Sequence, residues 1–178
     1  GARKPYVVPE LPKAKGPGRE YSVDEVLAIS TDKMKGRDFK NGHKMFAAAR
    51  CIVCHRFGAE GGATGPDLTQ LAGRFSLKDM TEAIIDPSKV VPDLFKATVV
   101  ETKDGKSFTG KLINDTGTAI TLVIDPENAT KTVTIEKSNI EEQQLSTVSL
   151  MPKDLLKTLN ENEVLDLLAY LMSRGNPN

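Results

Sequence analysis

The sequence predicts an α+β fold that is mainly helical and is interrupted by a small antiparallel β-sheet or barrel. Apolar residues recur at helical spacing before residue 92 and again after residue 160, whereas residues 96–135 are rich in Val, Ile and Thr. The chain of 178 residues is long enough for one domain or two small ones. No apolar run has the length that predicts a transmembrane segment.

Residues 1–37 are predicted to form a Pro- and Lys-rich N-terminal arm or linker. Four prolines fall within the first 20 residues, a composition typical of extended segments. Ser22 is a suitable N-cap, and Asp24 and Glu25 would occupy the first turn of a short helix that could follow it. Residues 38–178 are predicted to form the main domain, which contains an inserted β module at 95–145.

Three helices are predicted in the main domain. Their spans, from the apolar spacing, are 38–50, 77–85 and 160–174. Ser76 would cap the second helix, and Asn160 with Glu163 resembles a capping box at the start of the third. Gly175 is the predicted stop of the third helix.

Four strands are predicted between the second and third helices. Their spans are 96–103, 107–113, 119–124 and 131–135. Asp104-Gly105, between the first two, is a strong signal for a two-residue hairpin turn. Apolar and Thr residues alternate toward the end of the last strand, so one of its faces should be buried.

Residues 51–55 read Cys-Ile-Val-Cys-His and contain both cysteines of the chain. C-x-x-C-H is the attachment sequence of a c-type haem, in which two thiols bond the porphyrin edge and the adjacent imidazole ligates the iron. The sequence therefore predicts one covalently attached haem c, bonded to Cys51 and Cys54 and ligated by His55.

Three other interpretations of the two cysteines are weaker. A disulfide across two intervening residues closes a tiny loop and stabilises little. A thioredoxin-like pair normally follows a strand, whereas residues 38–50 have helical spacing. A structural zinc site needs about four N or S ligands, and the chain adds only His55 and the distant His43 to its cysteines. A surface role is expected for His43.

A haem iron bound by His55 has one further coordination position, on the opposite face. The candidate thioether ligands are Met34, Met45, Met80, Met151 and Met172. Met151 is favoured because it lies in a loop where Pro152 fixes the backbone just before a helix, so that its sulfur can turn into a cavity. A thioether ligand favours Fe(II) and raises the reduction potential. Met45 and Met172 fall on apolar helical faces and are expected to pack in the core. Met34 is kept as an alternative candidate for the ligand.

Several motifs together resemble the class I cytochrome c family. In chain order they are Gly42-x-x-Met45-Phe46, Cys51-x-x-Cys54-His55, Gly65-Pro66-x-Leu68 and Met151-Pro152. The fuller pattern is similar to the haem-binding domain of planctomycetes and verrucomicrobia, through Ile84-Ile85-Asp86-Pro87-Ser88 and the Thr102-x-Asp104-Gly105 hairpin. The resemblance covers residues 38–175. The β insertion accounts for a His55 to Met151 separation that is larger than in ordinary small class I domains.

The resemblance implies roles for four residues around the haem. The carbonyl of Pro66 would accept a hydrogen bond from the ring of His55, which fixes the tautomer and the ligand strength. Leu68 and Leu71 would pack on the haem face, and Arg74 is a candidate partner for a haem propionate.

The resemblance also implies that two residues of the helix before the cysteines contact the last helix. Gly42 and Phe46 should meet it near Leu168 and Tyr170, where a small residue permits a close crossing.

The function implied is electron transfer, with single electrons passing between redox partners, such as a dehydrogenase and another cytochrome, and no enzymatic step. A haem enzyme or gas sensor with an open or displaceable sixth position is the alternative, although no clear distal His–Arg pair is present. Basic residues straddle the haem motif and could steer an acidic partner: Lys40, Lys44, Arg50 and Arg56. The β module has little basic excess and few aromatic residues, so nucleic acid is not an expected partner. A periplasmic or otherwise extracytoplasmic location is expected.

Overall fold

The computed structural model describes residues 10–173, and these fold into two compact units. The sheet unit is Val91–Met151, and the helical unit consists of Leu11–Val90 and the chain from Pro152 onward. The α+β composition of the prediction is confirmed. Residues 1–9 of the predicted arm and the predicted helix stop at Gly175 lie outside the described residues.

Five α-helices belong to the helical unit within the described residues. They are α1 (Val23–Ser30), α2 (Phe39–Ala48), α3 (Cys51–Cys54), α4 (Leu77–Ile85) and α5 (Glu161–Met172). Capping boxes begin α1, α4 and α5, with Ser22, Ser76 and Asn160 as the N-caps. Among residues 10–173, no helix has both the length and the apolar character that crossing a membrane requires.

The helix predicted at 38–50 corresponds to α2, and a separate short helix, α3, carries the cysteines. Helix α2 ends at Ala48, and Arg50 adopts a left-handed backbone with φ +66° before α3 begins at Cys51. The left-handed residue stops the α2 hydrogen-bond ladder and gives the cysteine-bearing turn its own direction.

Helices α2 and α5 cross at close range because Gly42 has no side chain. A Cβ atom at Gly42 would overlap the carbonyl oxygen of Asp166 and lie 2.6 Å from Cβ of Tyr170. One turn later, the ring of Phe46 is fully buried, with its centroid 5.9 Å from that of Tyr170. The predicted contact of Gly42 and Phe46 with the last helix is therefore observed at Tyr170.

A buried carboxylate fixes the beginning of α2 against α5. Asp166 is only 5% exposed and accepts hydrogen bonds from Nε of Arg37 at 2.8 Å, Nδ2 of Asn41 at 2.9 Å and the backbone N–H of Asp38 at 3.2 Å. A buried charge is tolerated only when it is paired and hydrogen-bonded, and Asp166 meets both conditions.

The arm residues 10–21 contain no helix or strand, and part of them is bound to the start of α5. The backbone N–H groups of Lys15 and Gly16 each donate to the carboxylate of Glu163 at 2.9 Å. Asn160 returns a hydrogen bond to the carbonyl of Gly16, and the hydroxyl of Tyr21 donates to the carbonyl of Leu159. The α5 capping box therefore also holds the arm to the helical unit.

A two-stranded hairpin follows the cysteine-bearing turn, and a five-stranded sheet forms the sheet unit. The hairpin consists of β1 (Arg56–Phe57) and β2 (Glu60–Gly61). The five-stranded sheet consists of β3 (Thr98–Thr102), β4 (Ser107–Asp115), β5 (Ala119–Val123), β6 (Thr132–Glu136) and β7 (Ile140–Leu145). All its pairs are antiparallel, and the strand order is β6-β5-β4-β3-β7.

The sheet unit has its own apolar core. That core consists of Val100, Ile120, Leu122 and Ile135, packed against half-buried side chains such as Phe108. The turn predicted at Asp104-Gly105 joins β3 and β4, with Gly105 at φ +83°. Strand β7 was not predicted, because its Glu-Glu-Gln-Gln run lacks both apolar alternation and β propensity. Pairing with β3 makes it a strand.

We predict that Gly42→Ala destabilises the helical unit. The new methyl group has no space between α2 and the α5 backbone, so the free energy of unfolding should fall by about 1 to 3 kcal/mol or more. Urea denaturation measures this loss. Lys44→Ala is the control on the exposed face of the same helix and should change the stability by about 0.5 kcal/mol or less. Equal effects of the two substitutions would show that the crossing is not tight.

We also predict a pH-dependent contribution from Glu163, which is 3% exposed. Burial works to raise the pKa of this carboxyl, but the N–H groups of Asn160, Lys15 and Gly16 outweigh it, so the pKa lies below its ordinary value of 4.5. Since the folded state binds the carboxylate, its stabilisation is complete above the unfolded pKa and disappears as pH falls through the folded pKa.

Glu163→Gln should therefore lower the stability by about 1.5 to 3 kcal/mol at pH 7, and the difference from wild type should shrink as the pH falls below 4.5. Urea denaturation at a series of pH values gives this difference. Glu161→Gln, in the same turn, removes an exposed carboxylate that pairs with Arg19 and should cost about 1 kcal/mol or less. If the loss of stability in Glu163→Gln stayed constant down to pH 3, it would not come from the Glu163 carboxylate.

Candidate functional site

The two cysteines lie on one turn of helix, with His55 directly after it. Cys51 and Cys54 begin and end α3, so their side chains share a side of the turn. Cys51 is buried and Cys54 is half-buried, and the two form no disulfide. This arrangement presents two thiols, three residues apart, beside one imidazole.

The environment of Cys51 differs from that of a thioredoxin-like redox cysteine. Burial raises the pKa of the Cys51 thiol to about 12, whereas reactive redox cysteines have lowered pKa values. The turn is also preceded by helix α2 and the left-handed Arg50, and not by a strand. A metal cluster of protein ligands is not found either: within residues 10–173, no group of three or more His, Cys, Asp or Glu side chains could hold a metal ion.

The ring of His55 is oriented by a backbone carbonyl. Nδ1 of His55 lies 2.8 Å from the carbonyl oxygen of Pro66, and the backbone N–H of His55 donates to the carbonyl of Cys51 at 2.9 Å. A carbonyl oxygen can only accept a hydrogen bond, so Nδ1 must carry the proton. In the neutral ring, Nε2 then holds the lone pair that can bind a metal.

Burial also favours the neutral form of this ring. The pKa of His55 lies below its ordinary value because desolvation disfavours the imidazolium, and the hydrogen bond to Pro66 only partly opposes this shift. Near neutral pH, Nε2 therefore carries no proton, and its lone pair is available to a metal ion.

A segment that we call the glycine strap, residues 61–68, holds the cysteine-bearing turn through its backbone. The N–H of Gly62 donates to the carbonyl of Ile52 at 2.9 Å, that of Gly65 to Cys54 at 2.8 Å, and that of Leu68 to Arg56 at 2.8 Å. Two carbonyl groups of α3 and one just after it thus accept hydrogen bonds from the same loop. The strap fixes where Pro66 stands relative to His55.

Glycine is required along the strap because the backbones lie in contact. A Cβ at Gly61 would overlap the carbonyl oxygen of His55, and one at Gly62 would overlap that of Val53. At Gly65 it would lie 2.7 Å from Cε1 and 2.9 Å from Nδ1 of the His55 ring. No role was predicted for Gly61 and Gly62 from the sequence, although two adjacent glycines just after a binding motif are a signal for close backbone approach.

The remaining predicted residues of the helical unit follow along the chain. Leu68 is half-buried at the end of the strap, and Leu71, also half-buried, begins a 3₁₀ turn that ends at Gly73. Arg74 is exposed. The structure thus brings Cys51, Cys54, His55 and Pro66 together, with Leu68 at the end of the strap and Leu71 three residues beyond it.

The five methionines occupy different environments. Met45 and Met80 are each 1% exposed and belong to the helical core, as predicted for Met45. Met34 and Met172 are half-buried. Met151 ends the sheet unit in a segment without helix or strand, is half-buried, and donates its backbone N–H to the hydroxyl of Ser149 at 3.1 Å.

The residues of this site fit a covalent haem c. Two thiols on one turn match two thioether bonds, and Nε2 of a neutral, oriented imidazole is a suitable iron ligand. Gly65 keeps free the space against the ring that any side chain would fill. Leu68 and Leu71 follow Pro66 along the chain and are both half-buried.

We predict that Gly65→Ala disturbs the site through the ring of His55. The methyl group would press on Cε1 and Nδ1, so the ring must move away from Pro66 or the strap must shift. The free energy of unfolding should fall by about 1 to 3 kcal/mol, and less haem should be retained per chain, as measured by absorbance after purification. Ala63→Ser, on an exposed residue of the same strap, should behave as wild type. If Gly65→Ala kept the haem content and stability of wild type, the close contact between residue 65 and the ring of His55 would be refuted.

Comparison with protein families supports the same assignment. A family model described as Cytochrome c matches residues 39–175, a span that contains the cysteine-bearing turn, the glycine strap and helix α5. Comparison with curated proteins gives no match. Because the family model covers more than half of the 178 residues, the chain belongs to the cytochrome c family.

Proposed function

We propose that the protein is an electron carrier with one haem c and with His55 and Met151 as the two axial ligands. It passes single electrons between redox partner proteins and catalyses no reaction of its own. The observation that carries this proposal is the 2.8 Å contact between Nδ1 of His55 and the Pro66 carbonyl, which leaves Nε2 as the ligand atom of the residue that directly follows the two cysteines.

The family assignment implies the cofactor chemistry, and the chain supplies its surroundings. When bound, haem c provides an iron that alternates between Fe(III) and Fe(II). Cys51 and Cys54 would hold it covalently. The carbonyl of Pro66 would strengthen the ligand by accepting a hydrogen bond from Nδ1–H of His55.

Around the haem, the chain would provide both apolar and charged contacts. Leu68 and Leu71 would exclude water from the haem face, which favours the less charged Fe(II) state. The exposed guanidinium of Arg74 is proposed to pair with a propionate.

Met151 is the proposed second axial ligand on the strength of its local sequence and backbone. It lies in a segment without helix or strand, and Pro152 follows it. The buried side chains of Met45 and Met80 are committed to the helical core, which favours Met151 over both. With a thioether ligand the iron is coordinatively saturated, as an electron carrier requires.

We propose that the partner has an acidic docking surface and that both proteins work outside the cytoplasm. Four basic residues are exposed on α2 and on either side of α3: Lys40, Lys44, Arg50 and Arg56. Such a distribution attracts an acidic surface and raises the rate of encounter. A dehydrogenase or another cytochrome would supply or accept the electron. The location follows from haem attachment at C-x-x-C-H, which takes place outside the cytoplasm.

We further propose that the sheet unit is an insertion within a mainly helical cytochrome c domain of the planctomycete and verrucomicrobial type. The main domain would span residues 38–178 and the insertion 95–145, after the arm at 1–37. The motif order supports this subtype, and the strands between α4 and α5 agree with the proposed position of the insertion.

The axial ligation predicts a specific spectrum. Oxidised wild-type protein should show a weak charge-transfer band near the red edge of the visible range, which is characteristic of methionine bound to Fe(III). Met151→Ala should lose this band and lower the reduction potential, because the soft sulfur that favours Fe(II) is removed. Absorption spectroscopy and a redox titration of the haem-loaded protein measure both changes.

Met34→Ala serves as the control, since Met34 is also half-buried outside any helix. It should keep the band and the potential. A high-spin wild-type spectrum with avid binding of carbon monoxide or cyanide would reject the saturated iron and favour a haem enzyme or gas sensor. Loss of the band in Met34→Ala would transfer the ligand role to that residue.

A further inference from the structure

Strand β7 forms an open edge of the five-stranded sheet. Among residues 10–173, β7 pairs with β3 on one side and with no strand on the other. The N–H of Ser146 donates to the carbonyl of Ala97 at 2.8 Å, so this pair and every second pair along the ladder are the hydrogen-bonded ones. The alternation directs the backbone N–H and C=O groups of Gln143 and Leu145 away from β3. These groups can bind a further strand.

The regular part of this edge, residues 142–145, lacks the usual protection of an open strand. Proteins commonly place lysine or proline on such an edge, or cover it with another segment. Residues 142–145 contain neither lysine nor proline, and the side chain of Leu145 at their end is 56% exposed. A segment that covered the edge would pair its backbone groups and bury this leucine.

The charge of the edge indicates which kind of segment fits it. Glu141 and Glu142 are exposed, and Glu142 lies directly opposite Glu101 on β3. Like charges at opposite positions destabilise an antiparallel pair, so a cation beside Glu142 is favoured. Within the described chain, the lysines of the sheet unit that form ion pairs use aspartates as partners: Lys96, Lys106 and Lys137. A second copy of β7 would bring further carboxylates to the edge, whereas a basic segment would neutralise those present.

The residues that precede Glu10 have the composition of such a segment. Residues 1–8 contain an arginine and a lysine, contain no carboxylate, and end in Tyr-Val-Val, three residues of high β propensity. Glu10 itself belongs to the sheet unit, whereas Leu11 already belongs to the helical unit. The other open edge, β6, lies between Lys131 and Lys137 and does not attract cations.

We propose that residues 3–8 add to β7 as a sixth strand, parallel to it, with Lys4 opposite Glu142. This register is the one that serves both the charge and the apolar surface of the edge, since it also places Val7 opposite Leu145. The inference is independent of the proposed electron-transfer function, because it uses no residue of the haem site.

The position of proline agrees with this register. Pro5 would lie opposite Gln143, so that Tyr6 and Val8 direct their N–H groups toward β7 and the residue without an N–H faces solvent. A strand tolerates proline at such a position, and proline there prevents yet another strand from adding. An antiparallel strand with the same charge pair would place only a glycine opposite Leu145.

Amide hydrogen exchange of the whole chain, with haem attached, tests the added strand. In the proposed register, the N–H of Gln143 donates to the carbonyl of Lys4, and that of Leu145 donates to the carbonyl of Tyr6. Both amides should therefore exchange at least about tenfold more slowly in wild type than in a variant that lacks residues 1–8. Equal exchange in the two proteins, whether fast or slow, would overturn the proposal.

Charge reversal tests the pairing of Lys4 with Glu142. Lys4→Glu and Glu142→Lys should each speed the exchange of the two amides by about threefold or more, and the double variant should restore the slow exchange. Lys13→Glu reverses an exposed cation of the arm and is the matched control, which should keep the wild-type rates. Fast exchange in both single variants without recovery in the double variant would overturn the register.

Sedimentation of the same samples identifies the chain that supplies the strand. The proposal predicts a monomer whose slow exchange at Gln143 and Leu145 is independent of protein concentration. Slow exchange that appears only together with a dimer would show that the segment comes from a second copy, and would overturn the intramolecular strand.

Discussion

The hydrogen bond between Nδ1 of His55 and the carbonyl of Pro66 is the constraint on which the site depends. It determines which ring nitrogen carries the proton, and so which one can bind iron. The bond requires the Pro66 carbonyl to stand at a fixed place beside the end of α3, and the backbone hydrogen bonds of the glycine strap provide that placement. The strap in turn requires glycine at 61, 62 and 65, since side chains there would meet the turn or the ring itself. The glycine strap thereby determines which nitrogen of the His55 ring carries the proton and which can bind a metal.

The helical unit gives this arrangement a rigid base. Helix α2 leads into the cysteine-bearing turn, and Gly42 lets α2 lie against the backbone of α5. The buried Asp166 ties the first turn of α2 to α5, while Glu163 ties the arm to the start of α5. Each of these carboxylates accepts hydrogen bonds from several donors. These bonds offset the cost of removing the charge from water, and they fix the position of the side chain. Any displacement of α2 relative to α5 would be transmitted to α3, because only Ala49 and Arg50 separate α2 from Cys51.

Local signals predicted the elements whose ends are determined by their own residues. Ser76 and Asn160 cap the helices that follow them, and Asp104-Gly105 joins two strands. The elements that were missed depend on distant partners. Strand β7 exists through its pairing with β3, Asp166 is buried through donors far away in the chain, and the glycine strap is shaped by the turn that it covers. The spacing of Cys51, Cys54 and His55 encodes haem attachment, and the family match agrees with that chemistry. The hydrogen bond between Pro66 and His55 was expected only from the family resemblance, and the axial role of Met151 stays a prediction from its loop.

The most direct measurement is ¹⁵N NMR of protein labelled at histidine. We expect His55 to be a neutral ring protonated at Nδ1, and this proton to exchange slowly with water because it is hydrogen-bonded to the carbonyl of Pro66. Once haem is attached, Nε2 should be the nitrogen that binds iron. A ring protonated at Nε2, or an Nδ1 proton that exchanges as fast as that of an exposed imidazole, would contradict this expectation.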